Sequence, residues 1–527
     1  MLSKPSTGSF VIMVTFAICI CVSVAVSLYF ILANNDNESP EQPNIIIMYG
    51  DDTGYADFQT YGHPTQEWNG VDRMAQEGIK FTQWSTPSAL CSPSRAALLT
   101  GRYPIRTGVF GRKRVFQTSS SGGLPHREVT IAEALKDVGY ITGMVGKWHL
   151  GINKNSSTDG YYLPHNHGFD YVGTILPHTQ NAICNPEKYN VRQMRNCFIY
   201  RNDTIVQQPT DLTTLTKNLV VDAKHFINTN KNNPFFFFFS FPQTHTALFA
   251  SPEFLGKSKR GQYGDMVNEM GSSINEIMDQ LIDLKIEKRT LVIFLSDNGP
   301  KFDGCGDGGS PGVFRGGKTT TWEGGIRVPA VAWWPGTIKP GVVSNAVVSS
   351  LDIFPTVLKI AGSNYIKRRN LTIDGQVNDE VIKGLKSKSY DETLFFYYNG
   401  VLTSARHQQY KINFYKFRSI VDIMEELDET IRCDYTSSIV KDAVFDIENK
   451  VSKQDTPLIY DIEKDPQESS PLDSESKEYK RVIKLVDKRV QAHNASILAV
   501  ESEIDKPYTN DAPCCNPPLC TCNYNEE

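Results

Sequence analysis

Short apolar runs that stop abruptly at polar residues recur along the chain. "NIIIMYGDD" ends in Asp51 and Asp52, "YITGMVGKWHLG" in Lys147 and His149, "PFFFFFSFPQTH" in His245, and "TLVIFLSDNG" in Asp297 and Asn298. Each reads as a buried strand with chemistry-bearing groups at its carboxyl end. Segments of helical period lie between them, such as "VTIAEALKDVG" and "GDMVNEMGSSINEIMDQLIDL". Alternation of this kind predicts an α/β domain with a mostly parallel sheet. Ligands of such sheets bind beyond the carboxyl ends of the strands, so these strand ends predict a single site. The phenylalanines at 235–239 read as a strand buried on both faces rather than as low complexity. After about residue 375 the pattern changes to hairpin-like strands in "ETLFFYYNG", "LTSARHQQYKINFYKF" and "PLIYDIEKDP", then a charged helix near "KEYKRVIKLVDKRVQAH". This predicts a larger domain over 44–375 and a smaller α+β domain over 376–527.

The N-terminus departs from this pattern. From Phe10 to Ala33 there are 24 residues without a charge, roughly 36 Å of helix and long enough to cross a bilayer. Lys4 precedes this span, and Asp36, Glu38 and Glu41 follow it. The positive-inside rule then predicts a short cytosolic stretch over 1–9 and a signal-anchor or long signal peptide over 10–33. Residues 34–43 are a polar linker. Everything beyond is expected on the lumenal or extracellular side, with lysosome, Golgi, cell surface and secretion all open. A net charge of −5 and the lack of a basic block argue against nucleic acid as a partner.

Cysteine usage agrees with that topology. Of eleven cysteines, Cys19 and Cys21 fall in the apolar span. With Cys91 set aside for chemistry, an even set remains: Cys184, Cys197, Cys305, Cys433, Cys514, Cys515, Cys520 and Cys522. Disulfides are the expectation in an oxidising compartment. A zinc knuckle is the alternative for the four cysteines of "CCNPPLCTC", although no histidine accompanies them. Sequons at Asn37, Asn155, Asn202, Asn370 and Asn494 all fall on the lumenal side.

The stretch "CSPSRAALLTGR" from residue 91 carries the sharpest chemical question. Ser92 reads as an N-cap, Pro93 suits a first turn and good helix formers follow, which places Cys91 at a helix N-terminus. Free N–H groups and the helix dipole favour an anion there, and Arg95 adds a full positive charge. A buried cysteine at an ordinary helix start is the bland alternative. A phosphatase-type thiolate fits poorly, because its arginine would fall where this chain has Ala97. Asp51, Asp52, Asp297 and Asn298 offer an all-oxygen set that suits calcium, or magnesium, although "DD" and "DNG" are also common turn dipeptides. Lys147, His149, His245, Lys318 and Arg95 would surround an oxyanion of spread charge, as in sulfuryl or phosphoryl transfer. The histidines would supply base and acid.

With these residues assembled, the chain resembles the type I sulfatases, in the branch of arylsulfatase A and N-acetylgalactosamine-6-sulfatase. "CSPSRAALLTGR" is similar to the family's modification signature, C-x-P-S-R followed by T-G-R. The resemblance implies an alkaline-phosphatase-like sandwich: a large mixed, mostly parallel sheet flanked by helices, plus a C-terminal domain with a small antiparallel sheet. It implies that a formylglycine-generating enzyme oxidises Cys91 to formylglycine. One hydroxyl of the hydrated aldehyde would attack sulfur, and the other would expel sulfate as the aldehyde re-forms. "GDDTGYADFQTYGHP" and "SDNGP" match the metal motifs, so Asp51, Asp52, Asp297 and Asn298, with modified Cys91, would bind one calcium. Lys147 and His149 of "GKWHLG" would contact the hydrate, His149 helping to deprotonate it, and Arg95 would support the hydrate's charge. His245 and Lys318, the latter in "GGKTTTWEGGIRVPA", would hold the sulfate oxygens.

Two positions depart from the pattern: His178 stands where arylsulfatase A has a serine, and Gln243 where a second histidine is often found. By analogy with the arylsulfatase A tail, Cys514 would pair with Cys520 and Cys515 with Cys522, leaving Cys184 with Cys197 and Cys305 with Cys433. The expected substrate is a sulfate monoester of an aryl alcohol, glycan or glycolipid. Contact with a membrane would run through residues 10–33 if they are uncleaved, and an oligomer is compatible with the sequence. A phosphoesterase of the same superfamily and a silent glycan-binding relative are the competing functions. The second metal's histidines are not evident for the former, and no nucleophile or metal ligand is lost for the latter.

Overall fold

The apolar runs become the middle of a sheet because both of its faces are covered. The computed structural model describes residues 42–178, 196–301, 308–387, 393–418, 451–508 and 512–522. Ten strands form the large sheet: β1 (Asn44–Gly50), β2 (Ile79–Ser85), β3 (Ile141–Lys147), β4 (Tyr171–Leu176), β5 (Ile199–Arg201), β6 (Thr204–Gln207), β7 (Phe235–Ser240), β8 (Thr290–Ser296), β9 (Ala330–Trp333) and β10 (Val342–Ser349). Their order is β10-β2-β9-β8-β1-β7-β3-β4-β5-β6. The central neighbours β8, β1, β7, β3 and β4 all run parallel, while β9, β5 and β6 run antiparallel to their neighbours.

Successive side chains of a strand point to opposite faces. Ile45, Ile47, Phe236 and Phe238 therefore enter one apolar cluster, and Ile46, Met48, Phe235, Phe237 and Phe239 the other. Helix α1 (Gly70–Glu77) and the long helices α3 (Leu215–Asn230) and α4 (Gly261–Asp283) cover the second face. Helix α2 (Cys91–Thr100) and the short helices Ile131–Lys136 and Ile353–Ile360 cover the first. Gly101 ends α2 in the left-handed region at φ 66°. A Cβ there would lie 2.8 Å from Phe354 Cβ, so the glycine answers both a conformational and a packing demand.

Strands β11 (Thr393–Tyr398), β12 (Val401–His407), β13 (Tyr410–Phe417) and β14 (Val451–Asp461) form a four-stranded antiparallel sheet in sequence order. Helix α5 (Lys477–Ser496) packs Tyr479, Val482 and Val486 against it. From Pro43 onward the chain clusters as one compact unit.

Cys514–Cys520 and Cys515–Cys522 are disulfides, which removes the zinc-knuckle alternative for the tail because the thiols are consumed in S–S bonds. Main-chain hydrogen bonds between Gln208 and Cys522, 2.8 and 2.9 Å, fasten this knot beside β6. Cys197 is also disulfide-bonded, whereas Cys184, Cys305 and Cys433 lie outside the described residues. Asn155, Asn202, Asn370 and Asn494 are exposed, and Asn37 lies outside the described residues.

The apolar span over 10–33 likewise lies outside the described residues. Among the described residues no helix is long and apolar enough to cross a membrane, so the expected single-pass anchor gains no support. Helix α5, at 20 residues, has the length for such a role but is charged along its exposed face.

Phe237 is fully buried and its ring stacks on Phe226 with centroids 4.8 Å apart. Phe237→Ala should therefore lower unfolding stability by about 3–5 kcal/mol, read as a reduced urea midpoint.

Candidate active site

Parallel alignment of β8, β1, β7, β3 and β4 brings their carboxyl ends to one edge of the sheet. Asp51 and Asp52 follow β1, Lys147 ends β3 with His149 just beyond, His245 follows β7, and Asp297 and Asn298 follow β8. Cys91 opens α2, a few residues after β2, and thereby joins the same edge. Asp51, Asp52, Cys91 and Asp297 each offer a ligand atom within 4.8 Å of the others.

Three carboxylates this close repel one another, and the surrounding cations offset that repulsion. Arg95, wholly buried, places Nη2 2.7 Å from Asp297 Oδ2 and 3.6 Å from Asp51 Oδ1. Its Nη1 donates to Ser240 Oγ at 2.5 Å and to the Lys147 carbonyl at 3.2 Å. Lys147 Nζ lies 2.6 Å from Asp51 Oδ2, and Lys318 Nζ 2.6 Å from Asp52 Oδ2. Burial works against ionisation of Asp52, yet Lys318, His245 and Lys147 together hold its carboxyl below the usual range. Burial outweighs the help from Arg95 at Asp297, with Asp51 adding repulsion, and its carboxyl is pushed up to about 6. Desolvation would depress the Lys318 ammonium, but Asp52 and the neighbouring anions hold it above its ordinary value.

Asn298 Nδ2 donates to Asp52 Oδ1 at 2.8 Å and to the Gly299 carbonyl, while its buried Oδ1 has no hydrogen-bond partner. An amide oxygen orphaned beside three carboxylates fits a hard cation such as calcium. Cys91 Sγ sits 3.7 Å from Asp51 Oδ1 and 3.9 Å from Asp52 Oδ1. Burial pushes its thiol up to about 12, with Lys147 and Lys318 only partly compensating. That is the reverse of an activated thiolate and removes the phosphatase-type reading.

His149 Nε2 lies 3.0 Å from the Phe116 carbonyl, which can only accept, so this nitrogen carries the proton. The buried Nδ1 has no partner and keeps its lone pair. Burial, then Lys147 and His178, holds the ring well below its ordinary pKa, so it stays neutral. Its backbone sits at φ 58° and that of Asp52 at φ 56°, sparsely populated conformations for residues with side chains. His245 Nε2 stands 3.5 Å from Asp52 Oδ2, and Nδ1 bonds the Thr246 carbonyl. Burial and Lys318 depress this ring too. His178 is half-buried, lies edge-on to His149 with centroids 5.1 Å apart and bonds Gln117 Oε1 at 3.1 Å. Gln243 points away from the cluster, its Nε2 donating to Thr216 Oγ1 of α3 at 2.6 Å.

One sequence expectation fails here. Ser92 is not the N-cap of α2: Leu90 occupies that position, and Cys91 is the first helical residue. The Ser92 hydroxyl instead donates to the His149 carbonyl at 2.8 Å and accepts from Phe116 N–H at 3.3 Å. It ties the helix to the imidazole turn, a use that short-range pattern does not distinguish from capping. Phe116, Gln117 and Ser240 carry no sequence signal of their roles; only the polar ending of "FFFFFS" hints at the last.

A buried cage of carboxylates with cations parked on its oxygens suits a metal-assisted hydrolase of oxyanion esters. Comparison with known proteins narrows the class. The family model "Sulfatase" matches residues 43–363, "C-terminal region of aryl-sulfatase" matches 389–522, and "N-sulphoglucosamine sulphohydrolase, C-terminal" overlaps both at 312–434. An arylsulfatase of Hemicentrotus pulcherrimus is 39% identical, covering 95% of this chain and 90% of its own. Human steryl-sulfatase is 34% identical over 90% and 92% of the two chains. The dog N-acetylgalactosamine-6-sulfatase is 35% identical over 90% and 91%. Among solved structures, the PsFucS1 sulfatase from Pseudoalteromonas sp. shares 26% identity and a TM-score of 0.74, covering 91% of this chain and 95% of that one. The chain belongs to the sulfatase family, and its reaction is the hydrolysis of sulfate esters. The steryl-sulfatase relatives lie outside what the motifs indicate, which is arylsulfatase A and the galactosamine-6-sulfatase.

Removing Arg95 leaves Asp297 buried without its nearest cation. Arg95→Met should cost about 3–5 kcal/mol of stability in the metal-free protein, measured by urea unfolding in chelator.

Proposed function

We propose that the chain cleaves sulfate monoesters at Cys91 after oxidation of that residue to formylglycine. The observation that carries this reading is a buried thiol at a helix N-terminus, set among three carboxylates whose oxygens are paired with Arg95, Lys147 and Lys318. Asp51, Asp52, Asp297 and Asn298, with the modified Cys91, would hold one calcium, or magnesium. When bound, that ion supplies positive charge to a sulfate oxygen. The hydrated aldehyde at position 91 supplies the paired hydroxyls.

The remaining work falls to side chains of this chain. His149 Nδ1 would help to deprotonate the hydrate, with its ring fixed by the Phe116 carbonyl. Lys147, now on Asp51, would contact the hydrate. Lys318, now at Asp52, donates to the sulfate oxygens as charge moves onto them, and His245, also beside Asp52, lines the same oxyanion position. Arg95 braces Asp51 and Asp297 from below rather than reaching the substrate. Water consumed and acid released balance the reaction: an ester sulfate and water give the alcohol and hydrogen sulfate.

The preferred substrate is an aryl sulfate or a sulfated sugar. The polar pair His178 and Gln117 at the edge of the site favours a hydroxylated group, and the name of the galactosamine-6-sulfatase relative supports the sugar. The disulfide knot and exposed sequons support maturation in the lumen of the secretory pathway, where Cys91 would meet its modifying enzyme.

The deciding experiment measures sulfate against phosphate release from matched aryl esters, using protein from a eukaryotic secretory host. A Cys91 peptide mass checks for the aldehyde. Sulfate release should fall at least about a thousandfold in Cys91→Ala and drop on chelation; preserved release in Cys91→Ala sinks the proposal. Because the folded pKa of His149 is depressed, its base form persists as pH falls below the ordinary 6.5. The acid limb of kcat/KM should therefore lie below pH 6.5, and a limb at or above it would remove His149 as the base.

A further inference from the structure

We propose that the four-stranded sheet is a working part of the active site, and that Lys411 on β13 is a positioning residue for Lys318. The inference rests on the reading of Lys318 as a cation that holds sulfate. Lys318 lies on an irregular segment whose one regular element among the described residues nearby is a four-residue helix, Glu323–Ile326. Contacts outside that segment must therefore set where its ammonium points.

Those contacts come largely from the small sheet. Lys411 Nζ, fully buried, donates to the Thr321 carbonyl at 2.8 Å and to Glu323 Oε1 at 3.1 Å. Glu468, just beyond β14, accepts from Glu323 N–H at 2.7 Å and from Asn413 Nδ2 at 3.1 Å, with its Oε1 3.7 Å from Lys411. Thr403 Oγ1 meets Thr321 Oγ1 at 3.1 Å, and Trp322 Nε1 donates to the Phe417 carbonyl at 3.1 Å. On the large-sheet side, Lys318 N–H reaches the Pro300 carbonyl at 2.8 Å and Thr319 N–H the Ala89 carbonyl at 2.9 Å.

Between these two anchorages Thr319 is held at φ 74°, a conformation a β-branched residue keeps only when its surroundings over-determine it. The same surroundings reach the nucleophile. Leu90, immediately before Cys91, packs in one cluster with Trp322, Tyr398, Phe417, Tyr460 and Ile462.

A buried lysine between two carboxylates is a poor device for stability alone, since apolar residues of similar volume do as well or better. Its directional bonds to a main-chain carbonyl and to a side chain two residues on fix a geometry that apolar packing would leave loose. Lys411 thus determines where the Lys318 loop stands relative to Asp52, without itself touching the reacting atoms.

The test is a double-mutant cycle on calcium-loaded enzyme, with rates expressed per aldehyde-bearing site. Lys411→Met should lower kcat/KM for an aryl sulfate by about tenfold in the otherwise native chain, and by less than about threefold in a Lys318→Ala background. Glu468→Gln, which keeps the size and one acceptor oxygen, should give the same pattern more weakly and serves if Lys411→Met fails to fold. Additive losses in both backgrounds, or native kcat/KM per site with only a lower melting temperature, would overturn the proposal. Absence of sulfate release from the unmutated enzyme would instead overturn the functional reading on which it rests.

Discussion

Everything at the site follows from crowding three carboxylates into a space closed to water. Asp51, Asp52 and Asp297 are at most 2% exposed, and their oxygens share a few ångströms with the Cys91 sulfur. Water cannot screen them, so each needs a cation held in place by the fold. Arg95 arrives from α2, Lys147 from β3 and Lys318 from the loop before β9. The carboxylates themselves come from β1 and β8, adjacent and in register from Asn44–Thr290 to Gly50–Ser296. A shift of any of these elements would separate an ion pair that has no solvent to fall back on. The sheet order is thus an electrostatic requirement as much as a packing solution.

The same crowding explains why an ordinary cysteine would serve badly there. Burial and neighbouring anions keep the thiol protonated, and its hydrogen-bond partners are the Asp51 and Asp52 carboxylates. The proposed reading puts an oxygen nucleophile at position 91 instead, and the unpartnered Nδ1 of His149 is the nitrogen that would accept its proton. On that reading the helix N-terminus would act on charge that develops during reaction rather than on a resting anion.

Much of this was legible along the chain because the fold writes its site at strand ends. The acidic pairs after β1 and β8, the "KWH" after β3 and the histidine after β7 are local signatures, and the buried "FFFFF" strand needed only the rule that both faces are covered. The tail disulfides came from family likeness, not from spacing. The hidden parts are pairs joined over long separations. Ser92 finds the His149 carbonyl 57 residues away, Arg95 finds Ser240 across 145, and Lys411 finds Glu323 across 88. Nothing near a lysine in "YKINF" distinguishes a buried clamp from a solvated strand residue. Ser92 misled for a related reason: capping is the commonest local use of a serine before a helix, and only the three-dimensional neighbour decides otherwise.

Catalytic core and substrate rim obey different constraints in this arrangement. Core residues are fixed by charge balance, so a change at one of them leaves another buried and unpaired. His178 and Gln117 stand outside that balance: they are half-buried, bond to one another, and His178 lies edge-on to His149. Replacing either alters polarity at the mouth without stranding a carboxylate. Relatives named for aryl, steryl and sugar sulfates each match 90% or more of this chain. An imidazole at position 178 also adds a donor and acceptor beside the catalytic ring, where an apolar side chain would offer neither. His178 is one of two departures from the family pattern; the other, Gln243, turns away from the cluster and bonds Thr216 of α3, so only the first changes polarity beside the site.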